Sequence, residues 1–404
     1  MPGIEADLDI SKVQLGAYLT AHGLLYGFSR FCHGQLADRM NPRWLMAAGL
    51  FLCAVANLGF GMSSSVWLMG IFWVANGWFQ GAGFPPCAKS LSHWFAAEER
   101  GIKFTIWNTS HSIGAGAVAL VNAWAIWYFN DWRFCFFIPA GIAVFGGLVL
   151  INRLRDTPES MGLPPVEKWY HRNKIVIDGA DNGEKEPETV LPDEPLSTIL
   201  WKYVYSNPAI WILSFSNFFV YIVRFSILDW APTFLKEAKG IEVWKAVAVS
   251  SSFEIMAILG MLSSGFLMDK VFRGRGGRVM FLYMLGCAFT MLLFWKFNSG
   301  SLLMNGVFLG CLGFFSYCPQ ALIGVMAANL ATKKAAAAAN GLTGIFGYAS
   351  TAVTGIVVGM IAKHYNWDAV FLCLTGSAFI AAFLFLFTWN AVSPEQIAAE
   401  KQKR

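Results

Sequence analysis

Apolar stretches of about 20 residues alternate with short polar turns along nearly the whole chain, the spacing of bilayer-crossing helices rather than of strands or surface helices. Windows of that length predict about eleven spans, at 13–33, 45–62, 66–90, 104–128 and 134–151, and then at 209–235, 246–268, 279–297, 302–327, 336–362 and 369–392. Between the two sets, 153–205 is rich in Pro, Glu, Asp and Lys and reads as a linker. The pattern predicts an all-α membrane protein with an N-terminal bundle over 1–152, a linker over 153–205, a C-terminal bundle over 206–393 and a tail over 394–404.

Composition agrees with the pattern. Hydrophobic residues make up 56% of the chain against 14% charged, and the mean hydropathy is +0.50, outside the range of soluble domains. Seventeen Trp and thirty-five Phe suit lipid-facing surfaces and interfacial belts rather than nucleic-acid stacking. Lys and Arg fall on alternate loops, at Arg39 and Arg43, Arg100 and Lys103, 153–202, Arg273 to Arg278, Lys333 and Lys334, and Lys401 to Arg404. That bias assigns those loops and the C-terminus to the cytoplasm. The net charge of +5 is then a consequence of topology and calls for no nucleic-acid partner. Eight Cys lie scattered without paired spacing, so free thiols and no zinc framework are expected.

The halves share landmarks. Gly34-x-x-x-Asp38-Arg39 recurs as Gly265-x-x-x-Asp269-Lys270, the basic loop at Arg100 recurs at Lys333 and Lys334, and Phe84-Pro85-Pro86 has a weaker echo in Cys318-Pro319. Such repetition is the pattern of secondary transporters whose site lies at the repeat interface. The Gly-x-x-x-Asp landmark follows the second helix of the later half but the first helix of the earlier one, so one helix is expected to be missing in front of Met1, with a truncated gene as the preferred cause. The halves then contribute about five and about six helices.

Arg224 sits near the middle of 209–235, whose one other charge is Asp229. An arginine at the bilayer centre costs about 2.5–3.5 kcal/mol on insertion scales, so it faces an ion-pair partner, a cavity or an anion rather than lipid. A guanidinium in a dry cavity suits a phosphate or carboxylate through two parallel charge-assisted hydrogen bonds. His22, Tyr26 and Arg30 share one face of the first helix, with Arg30 able either to snorkel or to meet an anion. Asn108 and His111 share a stripe of the fourth span, and Tyr221 lies one turn before Arg224. Tyr317 and Tyr348 either line a cavity or anchor at an interface. Asp229 and Glu254 are intramembrane acids, expected to partner cations on facing helices. Asp38-Arg39 and Asp269-Lys270 read as helix caps or, because they recur, as a latch between helix ends.

No nucleophile elbow, phosphate loop, zinc-binding His-Glu-x-x-His or metal-spaced Cys pair is present, so an enzyme or an ATP-driven pump is not expected. The strings Tyr26-Gly-Phe-Ser-Arg30, Asp38-Arg-Met-Asn-Pro-Arg43, Trp78-Phe-Gln-Gly81, Pro85-Pro-Cys87, Trp107-Asn108 with His111, Arg155-Asp-Thr-Pro-Glu-Ser160, Arg224 with Leu228-Asp-Trp230, and Gly344-Ile-Phe-Gly-Tyr348 resemble the organophosphate:phosphate antiporter family of the major facilitator superfamily. The resemblance covers essentially the whole chain. It is nearest to glycerol-3-phosphate transporters at Leu228-Asp-Trp-Ala-Pro-Thr-Phe-Leu-Lys-Glu237 and Asp269-Lys-Val-Phe-Arg-Gly274.

The resemblance implies the major facilitator fold, two pseudo-symmetric bundles that rock around a central cavity and exchange an organic phosphate, glycerol-3-phosphate first, for inorganic phosphate. It implies a multi-pass protein of a bacterial-type inner membrane, acting as a monomer without a cofactor. Within that family Arg224 matches the phosphate arginine of the C-terminal half, and Arg30 stands where a lysine is common. His111 matches the binding histidine, and Asn108, Tyr26, Tyr221, Tyr317 and Tyr348 match positions near the cavity. Phe225 replaces a tyrosine of glycerol-3-phosphate carriers, while Asn340 and Thr343 replace an acid and a lysine of hexose-phosphate carriers. The other phosphate arginine belongs to a helix that would precede Met1, with a lysine that pairs with acids at Asp229 and Glu254. The chain as written is therefore expected not to transport, and a longer form to exchange phosphate. A hexose-6-phosphate transporter, a membrane-bound sugar-phosphate sensor and a carboxylate carrier are the alternatives.

Overall fold

The computed structural model describes residues 12–170, 194–297 and 301–393. Residues 1–11, the middle of the linker and the tail 394–404 lie outside the described residues. Those described form helices and no strand.

The first bundle runs through α1 (Lys12–Arg39), α2 (Pro42–Met62), α3 (Val66–Gln80), α4 (Phe84–Trp94), α5 (Arg100–Phe129) and α6 (Phe134–Arg153). Asn41 caps α2 by accepting the Arg43 N–H at 2.9 Å, with Pro42 as first helical residue. The span expected at 66–90 is in fact two helices. Pro85 and Pro86 have no N–H to give to the preceding turn, so α3 stops at Gln80 and α4 starts afresh at Phe84.

The end of the linker forms α7 (Leu196–Leu200), continued by a π turn (Trp201–Tyr205), and the second bundle begins with α8 (Pro208–Lys239). Then come α9 (Val243–Phe266) with a π turn (Leu267–Val271), α10 (Gly276–Lys296), α11 (Leu302–Leu330), and α12 (Ala336–Ala352), which a π turn (Val353–Val357) joins to α13 (Val358–His364). The last helix is α14 (Trp367–Leu386). Asn207 caps α8 at the Ala209 N–H, 3.0 Å away, and Gly240 ends it with a left-handed φ of 64°.

Among the described residues, 8 helices are long and apolar enough to cross a membrane. The remaining expected spans fall on α1, α3 with α4, and α12 with α13, each carrying polar or small residues or a break. Exposed side chains such as Leu120, Trp127, Phe145 and Leu303 make an outer surface suited to hydrocarbon.

Two seams join the bundles, α1 packing along α12 and α5 along α9. The landmarks pair α1 with α9 and α5 with α12, so the two seams are counterparts of one another. Small residues allow the close approach. A Cβ at Gly34 of α1 would lie 2.7 Å from the Ala337 carbonyl of α12, and one at Gly265 of α9 would lie 2.7 Å from the Gly101 carbonyl of α5.

Candidate functional site

A cavity of about 370 Å³ lies between the two bundles. Among its lining residues are Tyr26 and Arg30 from α1, Asn108, Ser110 and His111 from α5, Tyr221 from α8, Gln320 from α11 and Tyr348 from α12, with no carboxylate among the described residues. Arg30 is 5% exposed, with its guanidinium 3.7 Å from the centroid of Phe84. It therefore lies in the wall and does not snorkel. The stacking favours a cation that has been partly stripped of water, and Arg30 Nε is buried with no hydrogen-bond partner among the described residues. Tyr26 meets Tyr348 edge-on at 4.6 Å, and Tyr221 meets Tyr348 at 5.5 Å, so three phenols cluster in the cavity wall. His22, on the same face of α1, instead engages the Trp73 carbonyl through Nδ1 at 2.9 Å and stacks on that indole.

Arg224 is held differently. It is 4% exposed and is not among the lining residues, although Tyr221 one turn earlier is. Arg224 Nη2 donates to the Tyr317 hydroxyl at 2.8 Å, and that hydroxyl donates to Glu254 Oε1 at 2.5 Å. Ser112 of α5 donates to the other oxygen, Oε2, at 3.4 Å. The cation is thus neutralised at one remove, through a phenol of α11, by a carboxylate on α9, which lowers the cost of its burial. Arg224 Nε has no partner among the described residues. Its Cζ lies 4.2 Å from the Tyr317 ring centroid and 5.0 Å from that of Phe225. Asp229 is exposed and forms no ion pair among the described residues, in contrast to the expectation of a facing cation. Five residues along α8, it points off the face that carries Arg224.

At the basic end of the bundles the two recurring carboxylates reach across the seams. Asp38 Oδ1 accepts the Ala337 N–H at 3.0 Å and Oδ2 the Ala338 N–H at 2.8 Å. Asp269 Oδ1 accepts the Gly101 N–H at 3.2 Å and Oδ2 the Ile102 N–H at 2.7 Å. In each case the second and third residues of a helix in the other bundle are capped, so orphan N–H groups and the helix dipole are both satisfied by a charge from across the seam. Arg39 and Lys270, the neighbouring cations, are exposed.

Glu167, in the linker, is 4% exposed and joins the same end. Its Oε1 lies 3.2 Å from Arg100 Nη2 at the start of α5, and its Oε2 accepts from Lys333 just ahead of α12. Arg100 also donates to the Ser92 carbonyl at 2.9 Å, to the Phe95 carbonyl at 3.0 Å and to Asn329 Oδ1 at 3.2 Å. Two buried cations, counterparts in the repeat, thus share one buried acid.

Of the sequence candidates, Tyr26, Arg30, Asn108, His111, Tyr221 and Tyr348 share one cavity wall, Arg224, Tyr317 and Glu254 form a relay, and Asp38 and Asp269 are cross-seam caps. Sequence reasoning passed over Gln320 and Glu167. Gln320 follows Tyr317 by three residues on one helix, a signal that was available. Glu167 lies among many acids of the linker and carries no local mark. All eight cysteines are free.

A model of the Major Facilitator Superfamily matches residues 1–355. A "Probable hexose phosphate transport protein" of Chlamydia pneumoniae is 41% identical over 97% of this chain and 86% of its own length. The "Glycerol-3-phosphate transporter" of Bacillus subtilis is 40% identical over 94% of this chain and 85% of its own. The "Membrane sensor protein UhpC" of Escherichia coli is 34% identical over 98% and 88%. Among solved structures, the E. coli fucose:proton symporter FucP superposes with a TM-score of 0.69 over 93% of this chain and 91% of that one, at 13% identity, a likeness of fold alone.

Proposed function

The chain belongs to the Major Facilitator Superfamily, in its organophosphate transporter branch, and on that premise we propose that it is an antiporter exchanging an organic phosphate, glycerol-3-phosphate first, for inorganic phosphate by alternating access. It is an integral, multi-pass membrane protein. The observation that carries the proposal is the cavity itself: a buried arginine with a bare Nε, three phenols, an imidazole and the carboxamides of Gln80, Asn108 and Gln320 surround it, and among the described residues no carboxylate competes for an anion. Such a wall favours a doubly charged tetrahedral anion, because guanidinium and phenol donors supply several charge-assisted hydrogen bonds in a medium of low dielectric. The volume leaves room for carbon atoms beside the phosphoryl group.

In this reading Arg30 receives the phosphoryl group from the N-terminal bundle and Arg224 approaches from the C-terminal one. Tyr26, Tyr221, Tyr317, Tyr348, Asn108 and His111 complete the shell. Ligand competes with the Tyr317 hydroxyl for the Arg224 guanidinium and so loosens the relay to Glu254. The N-terminal bundle (1–152) and the C-terminal bundle (206–393) then rock about the cavity, with Asp38, Arg39, Asp269 and Lys270 setting the latch and Asp229 a further gating charge. The basic end faces the cytoplasm of a bacterial-type cell, and the unit of transport is one chain.

A hexose-6-phosphate carrier is the second reading, favoured by relatives named as hexose phosphate transport proteins, and a sensor is the third, favoured by the relative named as one. Counterflow of labelled phosphate in vesicles from cells carrying the full gene separates them. External glycerol-3-phosphate is expected to drive labelled phosphate out of loaded vesicles. Efflux driven by hexose-6-phosphate but not by glycerol-3-phosphate supports the second reading, and ligand binding without any efflux supports the third.

A further inference from the structure

We propose that Gln320 reads hydroxyl groups in the cavity, and that it selects phosphate esters with a free carbon-borne hydroxyl over alkyl phosphates and over inorganic phosphate. The inference rests on the phosphate reading above and adds the chemistry of the organic half of the substrate. Gln320 follows Pro319 on α11 and lines the same cavity as Arg30, His111 and Tyr221, reaching it from the opposite bundle to Arg30. Its Oε1 is buried and accepts no hydrogen bond among the described residues.

Three other carboxamides share that lack, Asn122 on the outer part of α5 and two buried ones, and the contrast with the latter two is informative. Asn217 and Asn340 also leave an oxygen bare, but their NH₂ groups donate to backbone carbonyls, of Thr343 at 2.8 Å and of Gly324 at 3.1 Å. Helix packing accounts for them, and neither lines the cavity. Gln320 makes no such tether among the described residues, so packing supplies no reason for an amide at this place. A buried carbonyl with no donor is costly, and in native proteins it is normally matched by water or a ligand.

The phosphoryl group of a dianionic ester cannot supply the donor it needs, and the P–OH of inorganic phosphate is drawn to the arginine end with the rest of the anion. Phosphate near neutral pH presents mostly acceptor oxygens, which a carboxamide oxygen repels, whereas guanidinium and phenol groups attract them. An O–H on the carbon skeleton is a donor of the right kind. The cavity therefore has a division of labour, with cationic and phenolic donors for the phosphoryl end and a neutral acceptor for the polyol end. A site built to hydrogen-bond a hydroxyl discriminates strongly against analogues lacking it, because its own polar group is then left unpaired.

The test compares n-propyl phosphate with glycerol-3-phosphate, of similar size and differing in hydroxyls, alongside inorganic phosphate. Each is titrated calorimetrically into the purified full chain, wild type, Gln320→Leu and Gln320→Met, with melting temperatures as a check on folding. Wild type is expected to favour glycerol-3-phosphate over propyl phosphate by about tenfold or more, and both variants to lose that preference while holding inorganic phosphate within about twofold. Equal loss of all three ligands in a variant that melts normally would overturn the proposal, as would an unchanged preference. If wild type binds none of them, the phosphate reading falls first and this inference with it.

Discussion

At the basic end of the molecule two carboxylates do the same thing in the same register, while around the cavity two arginines are handled in opposite ways. Asp38 and Asp269 each take two N–H groups from the first turn of a helix in the other bundle, and each sits four residues after a glycine that brings the helices together. Arg30 lines the cavity against a phenylalanine, whereas Arg224 is tied through Tyr317 to Glu254. The capping oxygens are all matched, but each arginine keeps a buried Nε without a partner among the described residues. Groups whose hydrogen bonds are complete hold the bundles together, whereas the two guanidinium groups at and beside the cavity keep a donor free for an anion.

The comparison breaks most visibly at Glu167. Replacing it by Gln leaves Arg100 and Lys333 buried without their shared counter-charge, and removing one member of a buried ion group costs about 3–5 kcal/mol. Unfolding of Glu167→Gln in mixed micelles is expected to show that loss, with phosphate affinity nearly intact. A variant as stable as wild type would mean the latch does not depend on the linker.

Arg30→Gln probes the cavity. Losing the guanidinium at a desolvated site costs about 2 kcal/mol or more, roughly a 30-fold weaker phosphate affinity, without a change in melting temperature. If stability falls instead of affinity, Arg30 belongs with the latch.

How much of this was legible in sequence varied with how local the cause was. The shared helical face of Tyr26 and Arg30 was readable, because four-residue spacing suffices, yet His22 on that face went to a carbonyl of α3 that no local pattern marks. The depth of Arg224 in its span was equally plain. Its relay was not, since α8, α11, α9 and α5 each supply one group. The repeat announced Asp38 and Asp269 as a pair, but which helix each caps depends on the seam between bundles. The break between α3 and α4 was written in Pro85-Pro86, and the hydropathy window smoothed over it.

Smaller effects sharpen the symmetry. Asp38→Asn and Asp269→Asn are each expected to cost about 1 kcal/mol, in equal measure, through the lost charge at a helix N-terminus. Stability curves of the two single variants measure this, and a clear inequality would show that the seams are not energetic counterparts. Asp229→Asn is expected to change stability by no more than about 0.5 kcal/mol, because the side chain is exposed and forms no ion pair among the described residues. A larger loss in the same assay would give Asp229 a structural partner after all.

The most direct test is a calorimetric titration of the purified full chain with inorganic phosphate, against chloride at equal ionic strength, in wild type and in a variant carrying Arg30→Gln with Arg224→Gln. Saturable phosphate binding in wild type and none in the double variant is the expected result. Binding that survives loss of both guanidinium groups, or no binding by a folded wild type, would contradict the assignment of the cavity to a phosphate group.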